Sequence, residues 1–225
     1  MNNPIRFIDP DGMNADWYEH KNENGSTSVL WKPGNAEQVS VMGETYNRTG
    51  ETYTQNVGSD ASITYNQNDA VELTVNVLSP SDWKSQRTDD GTGNKPGDEG
   101  NCFYQSGEMV KASGAESLIG TANNISDKNE GDNYINNQVD QGNSVRVHVD
   151  RDNNQTGDHW ITISSRTTDL KTQAVKSFGF YDPGTSKSAS GTQISNSLDT
   201  KSLTGVTFYS GKTYTVTEVR KNKKK

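Results

Sequence analysis

The chain has 225 residues, which is enough for one or two domains with a buried core. Its net charge of -7 argues against a protein that binds nucleic acid through phosphate contacts. A single cysteine excludes an intrachain disulfide framework and a cysteine-based zinc site, and no apolar run approaches the roughly 18 residues of a membrane span.

The first thirteen residues are rich in turn-forming dipeptides, and they contain the motif Asp9-Pro10-Asp11-Gly12. The segment resembles the end of the Rhs/YD-repeat core domain, after which a variable C-terminal toxin begins. The resemblance implies that residues 1–13 close the parent Rhs core. It also implies that the toxin is released by cleavage near this motif. The alternative is a simple turn, which Asp-Pro and Asp-Gly both favour.

Residues 14–80 have the short apolar runs and the Gly and Asn turns of a β structure. We expect a small β-rich linker, or pretoxin segment, between the Rhs core and the toxin. The strands predicted by alternation and β-branched content are Val29–Trp31, Val39–Met42, Ser62–Tyr65 and Val71–Leu78.

The stretch from Asp89 to Gly100 is crowded with Gly, Pro and Asp, which predicts a loop. Cys102 follows it, at the start of a predicted helix that ends near Gly114. A thiol at a helix N-terminus feels the positive end of the macrodipole, which favours the thiolate. The alternative is a small buried apolar side chain without chemistry.

A second short helix is predicted at 133–141, followed by a strand at 144–150 that contains His148. His148 shares a face with Arg146 and Asp150, so we expect it at the surface or the rim rather than in a site. The polar run from Asp150 to Asp158 lacks the glycine and the bidentate glutamate of a calcium-binding loop. We therefore predict a turn there, with no metal and no cofactor.

His159 opens the alternating strand that continues through Trp160, and Asp182 follows the next predicted strand, at 174–181. If these strands are antiparallel neighbours, Asp182 lies at the end where His159 begins. A cysteine at a helix start, a histidine and an aspartate then form a nucleophile, a base and an orienting group. The last two predicted strands, at 205–209 and 212–219, form a hairpin.

The motifs Asn-Cys-x-x-x-Ser-x-x-Met, Asp-His-Trp and Tyr-Asp-Pro-Gly occur in that order between Asn101 and Thr185. They resemble the papain-like cysteine peptidases, with the bacteriocin-processing branch nearest. The resemblance implies Cys102 as nucleophile, His159 as general base and acid, and Asp182 as the residue that orients the histidine. It also implies an α+β fold, in which the Cys-bearing N-terminal helix packs on an antiparallel sheet that bears His and Asp.

That branch carries a glutamine shortly before the cysteine to build the oxyanion hole, and Pro96 and Gly97 occupy that neighbourhood here. The candidate replacements are Gln86, Asn94 and Asn101, with the backbone N–H of Cys102.

These interpretations predict a secreted toxin domain at 81–225 that hydrolyses amide bonds, as a protease or a deamidase, after delivery into a target cell as part of a larger bacterial protein. One alternative is a peptidoglycan amidase or endopeptidase with the same triad, and another is a non-catalytic binding module of an Rhs protein. The expected partners are the parent Rhs core, a cognate immunity protein and a protein or peptidoglycan substrate, without nucleic acid and without a membrane span. A nuclease or an ADP-ribosyl transferase is disfavoured, because the chain has three histidines, a negative net charge and no Glu-x-Glu pairing.

Overall fold

The computed structural model describes residues 15–66, 71–87, 101–207 and 211–224, with only the backbone of Asn101 and Val206. The predicted release motif Asp9-Pro10-Asp11-Gly12 and the oxyanion candidate Asn94 lie outside the described residues. The chain divides into two compact units. One ends at Leu73 and includes Asp169–Gln173, and the other comprises Thr74–Thr168 and Ala174–Lys225. The division falls within a strand, whereas the predicted domain boundary was at 80/81.

The first unit is built from antiparallel strands. They are β1 (Ala15–Lys21), β2 (Thr27–Pro33), β3 (Gln38–Val41), β4 (Glu44–Gly50), β5 (Tyr53–Asn56), β6 (Ala61–Tyr65) and the start of β7 (Val71–Asn76). Four of them form a sheet in the order β2-β1-β4-β3, and β5 and β6 form a hairpin.

An aromatic cluster holds the first unit together. Trp17 is 2% exposed, and its ring centroid lies 4.9 Å from that of Trp31 and 5.0 Å from that of Tyr65. The buried carboxylate of Asp16 accepts a hydrogen bond of 2.6 Å from Arg48 of β4, so its charge is compensated. Large rings with paired charges stabilise a short β segment whose apolar content is low.

The second unit contains the helices. After a 3-10 turn at Pro80–Asp82, its elements are α1 (Asn101–Ala112), β8 (Asn124–Ile125), α2 (Lys128–Asp140), β9 (Val145–Asp150), β10 (His159–Asp169), β11 (Val175–Tyr181), α3 (Ser188–Gly191), β12 (Ser197–Asp199), β13 (Thr204–Val206) and β14 (Thr213–Arg220).

Local signals explain where the two longer helices begin and end. Asp127 accepts a hydrogen bond of 2.8 Å from the backbone N–H of Glu130, which caps the start of α2. Gly142 follows α2 with a φ of 74°, and Gly114 follows α1 with a φ of 81°. This left-handed backbone terminates a helix and favours glycine.

Strands β9 to β14 close into a barrel. Each pairs antiparallel with the next, and β14 returns to pair with β9. Closure leaves no open edge, and the interior is filled by apolar side chains that include Val147, Ile161, Phe180 and Leu198. Beside this core, Met109 of α1 packs with Leu78 and Tyr181 in a smaller cluster.

The expectation of an α+β papain-like fold is wrong. The protein is mostly β, with 43% of residues in strands and 18% in helices, and it contains a closed six-stranded barrel and a half-barrel sheet. The sequence did not predict the barrel because one of its strands is very short. Residues 197–199 contain one apolar side chain, Leu198, which is too little to predict a strand, yet β12 pairs with both β11 and β13 and completes the ring. Among the described residues, no helix is long and apolar enough to cross a membrane.

Candidate active site

His159 and Asp182 meet at one end of neighbouring barrel strands. Tyr181 at the end of β11 lies opposite Thr162 of β10, so Asp182 follows at the end where β10 begins. The Nε2 atom of His159 lies 2.7 Å from Oδ1 of Asp182, and both residues are 1% exposed. The predicted contact between strand start and strand end is therefore present in the structure.

Cys102 is the second residue of α1, and its half-buried thiol hydrogen bonds with the His159 ring. Because Nε2 is bound to Asp182, the ring nitrogen left for the thiol is Nδ1. Burial raises the pKa of the Cys102 thiol, but His159 and backbone hydrogen bonds from Trp160 and Phe103 outweigh it, so the pKa lies below its ordinary value. The thiolate is therefore favoured more than in an ordinary cysteine.

The pKa of the His159 imidazole shifts in the opposite direction to that of the thiol. Burial lowers the pKa of His159, yet the hydrogen bonds and charges of Asp182 and Cys102 raise it to about 9. A thiol with a lowered pKa beside a histidine with a raised one favours a thiolate–imidazolium pair.

Asp182 receives four hydrogen bonds, which occupy both of its carboxylate oxygens. Oδ1 accepts from His159 and, at 2.7 Å, from the backbone N–H of Gly184. Oδ2 accepts from the hydroxyl of Tyr214 at 2.9 Å and from that of Thr207 at 3.2 Å. Burial raises the pKa of Asp182, but His159 and these donors hold it below its ordinary value.

The segment 83–87 fixes the backbone around Asp182. The indole Nε1 of Trp83 donates to the carbonyl of Asp182 at 2.9 Å, and Arg87 Nε donates to that of Gly184 at 2.8 Å. The fit is close, because a Cβ on Gly191 would lie 2.1 Å from Trp83 Nε1. The position of the Asp182 carboxylate is therefore fixed by contacts to the surrounding backbone as well as by its own hydrogen bonds.

The three oxyanion candidates differ in what the structure describes. The backbone N–H of Gln86 donates to Pro183 O at 2.8 Å, which places this half-buried residue on the loop that holds Asp182. Asn101 is the first residue of α1, described by its backbone alone, and Asn94 lies outside the described residues. The first backbone N–H groups of α1 have no partner within the helix, so that of Cys102 is suited to an oxyanion.

His148 lies on the outer face of the barrel, away from the Asp182 carboxylate. It is half-buried, and its ring stacks on Trp160 with centroids 4.3 Å apart. Burial lowers the pKa of His148, which favours the neutral ring. The prediction that His148 is a rim residue agrees with this position, whereas its face-mates Arg146 and Asp150 are buried.

Sequence reasoning missed Tyr214, Thr207 and Trp83. Thr207 and Tyr214 lie within the two strands of a predicted hairpin, and no motif there indicates contact with residue 182. Only barrel closure brings them to the carboxylate. Trp83 lies in a polar stretch without periodicity, and its contact with Asp182 spans 99 positions.

Comparisons of the chain with protein-family models, with curated proteins and with solved structures find no match. Within the described ranges, no group of three or more His, Cys, Asp or Glu side chains converges as a metal site requires.

Proposed function

We propose that the second unit is a thiol hydrolase that cleaves amide bonds with Cys102, His159 and Asp182. The observation that carries the proposal is the 2.7 Å contact between His159 and the fully bonded Asp182 carboxylate, with the Cys102 thiol on the same imidazole. The arrangement supplies a nucleophile, a base and an orienting carboxylate on a β-barrel framework, and such constellations recur on unrelated folds.

The thiolate of Cys102 attacks the carbonyl carbon, and a backbone N–H at the start of α1 stabilises the oxyanion. The His159 imidazolium then gives its proton to the leaving nitrogen, the C–N bond breaks and a thioester to Cys102 remains. A water molecule gives a proton to His159 and attacks the thioester. The carboxylic acid leaves, and the proton restores the thiolate–imidazolium pair.

The nature of the target is open between a peptide bond, a glutamine side chain and a peptidoglycan cross-link. The resemblance of residues 1–13 to the end of an Rhs core supports a toxin that is delivered as part of a larger protein. In that setting, a cognate immunity protein would block the site. The alternative of a non-catalytic binding module is less well supported, because it gives no role to a carboxylate with four donors next to an activated thiol.

The test is expression of wild type and Cys102→Ala in the cytoplasm and in the periplasm of a bacterial host. We expect toxicity from wild type alone, since alanine removes the nucleophile. The compartment in which growth stops separates a cytosolic amide target from peptidoglycan. Lys111→Ala is the matched control, because it changes an exposed residue of the same helix that pairs with Glu108.

Equal toxicity of wild type and Cys102→Ala would refute the thiol mechanism and favour the binding module. A metal-chelator-sensitive activity that survives the cysteine substitution would also contradict it. Loss of toxicity in Lys111→Ala would show that the assay reports the integrity of α1 rather than the chemistry at Cys102.

A further inference from the structure

Two buried arginines lie close together on the outer face of the barrel, and Arg146 is the one near the thiol. Arg146 is on β9 and Arg220 ends β14, and these strands pair with each other. Each arginine is 4% exposed. An arginine is rarely this buried unless a negative charge accompanies it.

Aromatic rings and carbonyl groups hold the two guanidinium groups. Arg146 Cζ lies 3.7 Å from the Phe103 ring centroid, and Arg220 Cζ lies 5.2 Å from that of Trp160. Arg146 Nη1 donates to Phe103 O at 2.6 Å, and Arg220 Nη1 donates to the carbonyl of Gly120. All of these contacts are neutral, so they orient the two cations without compensating their charge.

Each of the two guanidinium groups has an unused hydrogen-bond donor and lacks a carboxylate partner in the described part of the chain. The Nε atoms of Arg146 and Arg220 are buried without a hydrogen-bond partner, and no carboxylate in the described part of the chain is within ion-pair distance of either group. Burial, followed by repulsion from Arg220, lowers the pKa of Arg146 to about 10. Glu218 raises the pKa of Arg220 electrostatically, but burial outweighs it, and the carboxylate is bonded to Asn124.

Arg146 lies near the reacting sulfur, and Arg220 lies near Arg146. Arg146 donates to the carbonyl of Phe103, which follows Cys102 in α1, and the charges of Cys102 and Arg220 both act on the pKa of Arg146. The thiolate and the Asp182 carboxylate offset the imidazolium and one of the two guanidinium groups, so the described part of this site has one positive charge in excess. A bound carboxylate would compensate that charge, because guanidinium groups bind carboxylates in a bidentate fashion.

We propose that Arg146 and Arg220 form a subsite for a carboxylate of the substrate, located beside the amide bond that Cys102 attacks. This inference rests on the proposed function and narrows its substrate class to amides flanked by an acidic side chain or a free carboxylate. The acidic net charge of the protein would disfavour such substrates at long range, so recognition depends on this local pair.

The test compares acidic and neutral thiol reagents of matched size, namely iodoacetate with iodoacetamide and 3-maleimidopropionate with N-ethylmaleimide. The ratio of acidic to neutral alkylation rates at Cys102 is measured against the same ratio for N-acetylcysteine. We expect at least one ratio to exceed the reference by about tenfold, since the subsite holds the acidic reagent near the sulfur. Acetate at constant ionic strength should slow only the acidic reagent.

Arg146→Gln and Arg220→Gln should each lower the ratio by about tenfold, since each removes half of the charge at the subsite. The control Arg166→Gln removes the same charge from a residue that pairs with Asp140 of α2, and it should leave the ratio unchanged. If the subsite variants fail to fold, two measurements on wild type test the subsite instead. The alkylation rate should saturate with the concentration of the acidic reagent, and acetate should compete with that reagent.

Ratios equal to the N-acetylcysteine reference, with rapid alkylation by iodoacetamide, would overturn the subsite and leave the hydrolase proposal intact. Slow alkylation by every reagent would refute the activated thiol itself. Stronger competition by inorganic phosphate than by acetate would overturn the carboxylate assignment in favour of a phosphoryl group.

Discussion

Burial and hydrogen bonding act in opposite directions on each of the three candidate catalytic side chains. Burial alone would keep Cys102 as a thiol, His159 as neutral imidazole and Asp182 as a carboxylic acid. The hydrogen bonds reverse all three preferences, so the pKa of Cys102 and that of Asp182 are lowered while that of His159 rises to about 9. The charge of each of these side chains therefore depends on its hydrogen bonds to the neighbouring groups.

This dependence predicts the pH profile of alkylation. In wild type, the rate of reaction of Cys102 with iodoacetamide should rise with an inflection below the ordinary thiol value of 9.0, because His159 and two backbone groups stabilise the thiolate. In His159→Leu the largest contribution that lowers the pKa of Cys102 is lost while burial remains, so the inflection should move to higher pH. His148→Leu is the matched control, since its ring stacks on Trp160. An unshifted inflection in His159→Leu would contradict the pairing.

The element that decides the architecture is the short strand β12. It joins β11 to β13 with three residues, and its fit is tight at Gly205 of β13. A Cβ on Gly205 would lie 1.8 Å from the backbone oxygen of Ser197. Since a backbone atom cannot move aside as a side chain does, only glycine allows the two strands to pair here.

Gly205→Ala should therefore lower the free energy of unfolding by about 2–4 kcal/mol, measured by urea denaturation. The neighbouring strand offers a control in Thr215→Ala, which shortens a half-buried side chain paired with Thr204 and should cost under about 1 kcal/mol. A Gly205→Ala protein as stable as wild type would show that the barrel closes by another register.

At the scale of the molecule, the groups whose pKa values shift on folding determine how stability depends on pH. Burial opposes ionisation of Asp182 and Asp150, but bound donors hold both pKa values below the ordinary range, and Ser202 does the same for Asp199. A lowered carboxyl pKa stabilises the fold above the unfolded-state value, and the gain is lost as pH falls through the folded-state value. The raised pKa of His159 stabilises the fold below its ordinary value of 6.5, and that gain is lost as pH rises through about 9.

The free energy of unfolding should accordingly be greatest near neutral pH and decline on both sides. In Cys102→Ala the alkaline decline should shift to lower pH, because the bond to Cys102 no longer raises the pKa of His159. The acid decline should persist, since the donors to Asp182 from Tyr214, Thr207 and Gly184 are unchanged. An alkaline limb identical in the two proteins would contradict the thiolate–imidazolium pair.

The sequence by itself determined the local elements of the site. The cysteine at a helix start, the histidine at a strand start and the aspartate after the next strand were predicted from Gly-rich boundaries and alternation, and the contact between His159 and Asp182 is present. These signals are local, because backbone preference and burial pattern are encoded within a few residues.

Only the tertiary structure decided the barrel, the donors from Tyr214 and Thr207, and the burial of Arg146 and Arg220. Closure depends on the pairing of β14 with β9 and on a strand of three residues with one apolar side chain, so no short stretch of sequence predicts it. From the sequence alone, an arginine on the outward face of a strand is predicted to be exposed to solvent. Arg146 becomes a buried charge because Phe103 of α1 and the ring of Trp160 on the neighbouring strand contact its guanidinium group.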